Sequence, residues 1–182
     1  MTKVAVVFAE GFEEIEALSP VDVFRRAGFD CSMLGLESAS VTGSHGIQVA
    51  MDGVFDGNFA DYDLVVLPGG MPGSTNLRDN QALIVPLQDA AKAGKYVAAI
   101  CAAPNDLERA GLLEGRKFTC FPGLEEQIAS GENQTDLVVV DGKIVTSRGA
   151  GTALAFAYAL VDLLGGDGQQ LAHTMVYDRL FK

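Results

Sequence analysis

Residues 95–111 read KYVAAICAAPNDLERAG, and the interpretation of this stretch decides the fold. Tyr96 to Ile100 is a short apolar run that reads as a strand. Cys101 follows it, then Ala102 and Ala103, then a helix-like segment opening at Pro104. A thiol therefore stands where a strand gives way to a helix. The two alanines are small enough for a sharp turn, as beside the nucleophile of a strand-to-helix elbow. The start of a helix favours a thiolate over a thiol. The competing reading is a buried core cysteine, since free cysteine is among the most buried residue types.

Working outward, the same alternation recurs along the chain. Residues 63–70, DLVVLPGG, are a buried strand running into a glycine turn. KVAVVF at 3–8 is another, and residues 13–29, EEIEALSPVDVFRRAGF, form a helix with Gly28 as its terminator. DCSMLGL at 30–36 is a strand, and residues 40–53 suggest a short hairpin excursion. NQALIVPLQDAAKAGK at 80–95 is a helix with Pro86 as an oddity inside it. KFTCFPG at 117–123 reads as a short strand, and residues 136–147 as two strands joined by Asp141-Gly142, a strong hairpin signal. A long apolar helix over 151–166 and a last helix over 168–182 complete the pattern. Repeated strand-then-helix units predict one α/β domain over residues 1–182, with a mostly parallel sheet and helices on both faces.

Composition narrows the function. The chain of 182 residues is 48% hydrophobic and carries a net charge of −11, which disfavours nucleic acid and anionic membranes as partners. No stretch approaches the ~20 apolar residues of a membrane span, and acids follow the short apolar start too soon for a signal peptide. Cys31, Cys101 and Cys120 are an odd number without metal-site spacing, so the expectation is reduced thiols in the cytoplasm and no metal. No cofactor is expected either. Gly149-Ala150-Gly151 after a strand resembles part of a dinucleotide fingerprint, but Leu154 stands where its third glycine belongs.

In open α/β sheets ligands bind outside the carboxyl ends of the strands. Three features fall there: the acids after the first strand, Gly69-Gly70, and Cys101. Glu13 and Glu14 read as complements to a helix dipole. Glu16 has two readings, another such acid or an inward carboxyl with a raised pKa that donates a hydrogen bond to a thiolate. Cys31 and Cys120 read as packing residues within strands, with pocket lining as a second role for Cys120. His45 and His173 read as surface residues.

AEGFEEIEA, PVDVFRRAGF, VVLPGG, AAICAAP and TSRGAGTALAFA together resemble the ThiJ/PfpI superfamily, in the branch of the parkinsonism-associated DJ-one and bacterial YajL. The likeness covers nearly the whole chain in order. It implies a flavodoxin-like three-layer sandwich and a homodimer. It also implies that Cys101 is the reactive, readily oxidised cysteine and Glu16 the protonated carboxyl bonded to it. Gly70 and Ala102 would then supply oxyanion-site N–H groups, and His45 would align with a basic residue near the pocket.

Two departures matter. Phe121-Pro122 stands where relatives with aldehyde chemistry often carry His-Pro, which argues against protease or amidase chemistry for want of a base. Asn105-Asp106 stands where relatives are usually uncharged; Asp106 suits a helix start but also puts a negative charge near the thiol. Two functions follow from the resemblance. One is an enzyme acting on small reactive aldehydes or glycated proteins. The other is a redox sensor or chaperone in which Cys101 oxidises to a sulfinate.

Overall fold

The computed structural model describes residues 1–180. In chain order it comprises β1 (Lys3–Phe8), α1 (Glu14–Arg26), β2 (Asp30–Gly35), β3 (Ser40–Thr42), β4 (Gln48–Ala50), β5 (Gly53–Val54) and β6 (Leu64–Leu67). There follow α2 (Gly73–Asp79), α3 (Gln81–Lys92), β7 (Tyr96–Ile100), α4 (Pro104–Arg109), β8 (Lys117–Phe118) and β9 (Glu132–Asn133). β10 (Val138–Asp141), β11 (Ile144–Ser147), α5 (Ala153–Leu163) and α6 (Gly168–Thr174) end the series.

Seven strands form the central sheet in the order β10-β11-β7-β6-β1-β2-β5. Every pairing is parallel except β10 with β11, the hairpin signalled by Asp141-Gly142. The order turns back on itself between β1 and β6, the place where such sheets open a crevice at their carboxyl ends.

The period-two geometry of a strand explains the unbroken apolar runs. Val4, Val6 and Phe8 of β1 join Leu64 and Val66 of β6 and Ala98 and Ile100 of β7 on one face. There they meet Ala17, Val21 and Phe24 of α1 and Phe156, Leu160 and Val161 of α5. The intervening residues Ala5, Val7, Val65, Leu67, Val97 and Ala99 face the other way, against Leu77 of α2, Leu83 and Leu87 of α3, and Leu107 of α4. Two buried layers on one sheet make the three-layer flavodoxin-like sandwich. Phe156 is wholly buried, so Phe156→Ala is worth about 3–5 kcal/mol on general grounds.

α1 ends as its sequence suggests. Gly28 adopts φ of +75°, its N–H donates to the Arg25 carbonyl, and the Phe29 N–H donates to that of Phe24. Phe24 and Phe29 stack at 6.5 Å, the apolar contact that accompanies this helix stop.

Several expectations are corrected. α2 has no signal in its sequence GSTNLRD; burial of Leu77 and a Ser74 N–H bond to the Gly70 carbonyl hold it. The strand expected over 117–123 stops at Phe118, because the Thr119 N–H turns to the Thr146 hydroxyl at 2.9 Å and the Phe121 N–H to the Cys101 carbonyl. Cys120 is therefore buried but outside any strand. The last helix breaks after Thr174 and is followed by a single turn at Tyr177–Arg179, while Phe181 and Lys182 lie outside the described residues. α3 runs through Pro86, which is half-buried, and Ala82, whose carbonyl loses its helical donor there, is exposed.

Candidate active site

The carboxyl ends of β1, β6, β7 and β11 deliver four segments to one place. Cys101 is the first residue beyond β7, with φ of +64°, a left-handed conformation that costs a non-glycine residue about 1–2 kcal/mol. Three backbone bonds hold it there. Its N–H donates to the Ser147 carbonyl at 3.1 Å, its carbonyl accepts from Phe121 at 2.9 Å, and the Ala103 N–H donates to Ile100 at 3.1 Å. The sharp turn lifts the thiol to the rim, half-buried.

Glu16 occupies the first turn of α1, on the helix face that meets the sheet, and is 1% exposed. Its Oε2 accepts from the Gly69 N–H at 3.0 Å, its carboxyl also meets the Ala150 N–H, and it hydrogen-bonds the Cys101 thiol. Of its two sequence readings, the inward one is the arrangement observed. Burial pushes the carboxyl up to about 7, Glu13 adds to the rise, and the bonds from Cys101, Gly69 and Ala150 moderate it.

Gly69 is required by close approach. A Cβ there would sit 2.6 Å from Glu16 Oε2 and 2.8 Å from Cys101 Cβ. Gly70, at φ of +91°, is hemmed in by backbone: a Cβ would meet the Glu13 nitrogen at 2.3 Å. The Gly69 carbonyl accepts from Glu13 and the Gly11 carbonyl from Gly73, so the loops after β1 and β6 are stitched together.

The Cys101 thiol is raised above its ordinary range, first by burial and then by the Glu16 charge and hydrogen bond; the Ala102 and Gly70 N–H groups oppose the rise. This corrects the idea that a helix start activates the thiol, for α4 is six residues long and begins three residues later, at Pro104. Access to the thiolate runs through Glu16. When Glu16 is protonated its charge is gone and its O–H becomes a donor to sulfur, so both of its effects on the thiol reverse.

Other sequence candidates fall elsewhere. His45 lies on the β3–β4 hairpin with its side chain 69% exposed, and its Nδ1 meets Glu14 Oε2 at 2.8 Å. That hydrogen bond raises the imidazole; burial pushes Glu14 up, but its bonds from His45 and from the Glu14 and Ile47 backbone together outweigh burial and lower it. Glu14 is thus a buried acceptor for the hairpin, taking the His45 N–H and the Ser44 hydroxyl as well, beyond the dipole role expected of it. Glu13 is the helix cap, accepting from the Glu16 N–H at 2.7 Å. Glu13, Glu14 and His45 bring donor atoms within 4.8 Å of one another, but these same bonds already occupy both carboxylates. Phe121 is 49% exposed, and a Cβ on Gly149 would meet its ring at 3.5 Å and Glu16 Oε1 at 3.9 Å.

Asp106 does not face the thiol: it is wholly buried between α4 and α2, with Oδ1 accepting from the Ser74 hydroxyl at 2.7 Å. Neither Asp106–Ser74 nor the Ala150 N–H was legible in the sequence, since a backbone donor has no residue signature and Ser74 lies in a helix that sequence reasoning missed.

Residues 2–163 fit the model of the DJ-1/PfpI family. The chain belongs to that family. It is 39% identical to the DJ-1 homolog B of Arabidopsis thaliana over 90% of its length, spanning 38% of that longer protein. It is 35% identical to the deglycase PH1704 of Pyrococcus horikoshii, over 89% of this chain and 99% of the relative. The solved structure of oxidized Toxoplasma gondii DJ-1 superposes with a TM-score of 0.92 at 36% identity, covering 97% of this chain and 98% of that one. The flavodoxin-like expectation is thereby met.

Proposed function

We propose that this protein is a cysteine-dependent enzyme of the DJ-1 type that acts on small reactive aldehydes, as a glutathione-independent glyoxalase or a deglycase. One observation carries the reading: a carboxyl whose pKa is about 7 is hydrogen-bonded to a thiol on a strained elbow. A general acid–base works best when its pKa lies near the operating pH.

With methylglyoxal, the Cys101 proton passes to Glu16 and Sγ adds to the aldehyde carbon. The oxygen of the adduct takes the proton back, with the Gly70 and Ala102 N–H groups beside the sulfur supporting charge on the way. Glu16, now ionised, removes the proton from the former aldehyde carbon and returns it to the adjacent carbon as the enediol collapses to a thioester. Water hydrolyses the thioester to lactate and restores the thiol. The same first adduct, formed on a glycated amine, leads to the deglycase outcome, the activity for which the Pyrococcus relative is named.

A second reading is supported by Phe121. No histidine stands beside the thiol, so Glu16 is the one acid–base group bonded to Cys101 among the described residues. A site with little turnover would serve as a redox sensor or stress chaperone, in which two equivalents of peroxide carry Cys101 to a sulfinate that Glu16 stabilises. No helix of the described residues is long and apolar enough to cross a membrane. We place the protein in the cytoplasm as a homodimer of one 182-residue domain. Lactate formation from methylglyoxal by wild type against Cys101→Ala tests the enzyme reading. Turnover lost in the variant supports it; equal rates, or none in either protein while peroxide yields the sulfinate, overturn it.

A further inference from the structure

Asp106 is an anomaly in its surroundings. Its side chain is 0% exposed, and its one hydrogen bond is Oδ1 accepting from Ser74, while Oδ2 has no partner among the described residues. The neighbouring cation, Arg78, is engaged by Asp79 at 2.9 Å. Beside it, Leu77 of α2 and Leu107 of α4 are wholly buried in the same apolar layer. Packing alone would be served by two small apolar residues, because a buried carboxyl with an unmet oxygen costs stability. What the Ser–Asp pair adds is direction: it ties two helices at one defined separation.

The two helices are those that follow the thiol's N–H donors. Ser74 lies in the first turn of α2, and its N–H donates to the Gly70 carbonyl at 2.9 Å. Asp106 lies in the first turn of α4, and its N–H donates to the Ala103 carbonyl at 2.8 Å. Gly70 and Ala102 carry the N–H groups that face the Cys101 sulfur. The 2.7 Å side-chain bond is therefore a direct tie, 32 residues apart in sequence, between the segments that hold these two donors.

We propose that the Ser74–Asp106 hydrogen bond is a brace that fixes the spacing of the Gly70 and Ala102 N–H groups around the Cys101 sulfur, which makes Asp106 a positioning residue for that thiol. Burial raises the Asp106 carboxyl well above its ordinary range, against the Ser74 bond and Arg78. The inference rests on Cys101 being the reactive thiol, and holds whether that thiol turns over aldehydes or records oxidation.

The test compares wild type, Asp106→Asn, Asp106→Ala and the double variant Ser74→Ala/Asp106→Ala. Each is read by the iodoacetamide alkylation rate of Cys101, mapped by peptide mass, and by the thermal midpoint. Asp106→Asn keeps the side chain's size and an acceptor oxygen for the Ser74 hydroxyl; it should alkylate at the wild-type rate. Asp106→Ala should slow alkylation about three- to tenfold, the range of one net hydrogen bond. The double variant removes both polar partners, so its thermal midpoint should recover while its alkylation stays slow. Wild-type alkylation in the double variant, or slowing in Asp106→Asn equal to that in Asp106→Ala, overturns the brace. If wild-type Cys101 itself labels no faster than Cys31 and Cys120, the site assignment has failed, and the brace with it.

Discussion

Replacing Glu16 by Gln should stabilise the protein while disabling it, with a sign that depends on pH. In the unfolded chain the carboxyl titrates at its ordinary value of 4.5, and burial moves it to about 7 in the fold. Between those values the folded state binds more protons than the unfolded state, so stability falls as pH rises through the window from 4.5 to about 7, and is level on either side. A rise of about 2.5 units corresponds to about 3 kcal/mol, since each unit is about 1.4 kcal/mol. Gln is neutral at every pH and escapes this loss. Its amide oxygen can still accept the 3.0 Å bond from the Gly69 N–H. Below the window the two proteins should have nearly equal stability. Above it Glu16→Gln should be the more stable by about 3 kcal/mol, roughly 6–12 °C in thermal midpoint for a chain of this size. Urea unfolding of both proteins on both sides of the window measures the difference directly. A stability gap that does not change with pH would refute the claim that burial holds this carboxyl's pKa up.

Other perturbations test the packing around the pair and the assembly. Gly69→Ala places a Cβ 2.6 Å from Glu16 Oε2 and 2.8 Å from Cys101 Cβ; it should cost about 1–3 kcal/mol in urea unfolding and abolish lactate formation, and wild-type values in both would show the contact to be slack. Iodoacetamide should label Cys101, half-buried at the rim of the sheet, well before the buried Cys31 and Cys120, because access and not ionisation separates three thiols that burial raises alike; peptide mapping that finds equal rates would remove Cys101 from its role. Light scattering should give twice the 19.1 kDa chain mass across concentrations, and a persistent monomer would contradict the homodimer.

The sheet was legible because residues such as Val4–Phe8 and Leu64–Leu67 are buried on both faces, and such strands advertise themselves as unbroken apolar runs. The elbow at Cys101 was legible as a junction, from Ala102, Ala103 and Pro104. The direction of Glu16 was not, since one carboxyl beside Glu13 and Glu14 near a helix start gains its inward placement from the helix's angle on the sheet. α2 escaped notice because tertiary contacts at Leu77 and Ser74 override its weak helix formers. Asp106 was read as a charge near sulfur, when its side chain belongs to the opposite face of the sheet. Burial, more than proximity to a helix, sets the thiol's ionisation, and burial is what a strand-end cysteine does not reveal in sequence.

The central claim, that Cys101 and Glu16 work as a proton-exchanging pair, is tested most directly by the lactate-forming rate of Glu16→Gln on methylglyoxal, with Cys101 alkylation measured on the same sample. General acid–base help is typically ~100- to 10,000-fold, so turnover should fall by that much while Cys101 still labels ahead of the other cysteines. Turnover near the wild-type rate would contradict the pair and leave Glu16 as a buried acid that only helps to hold the Gly69 turn.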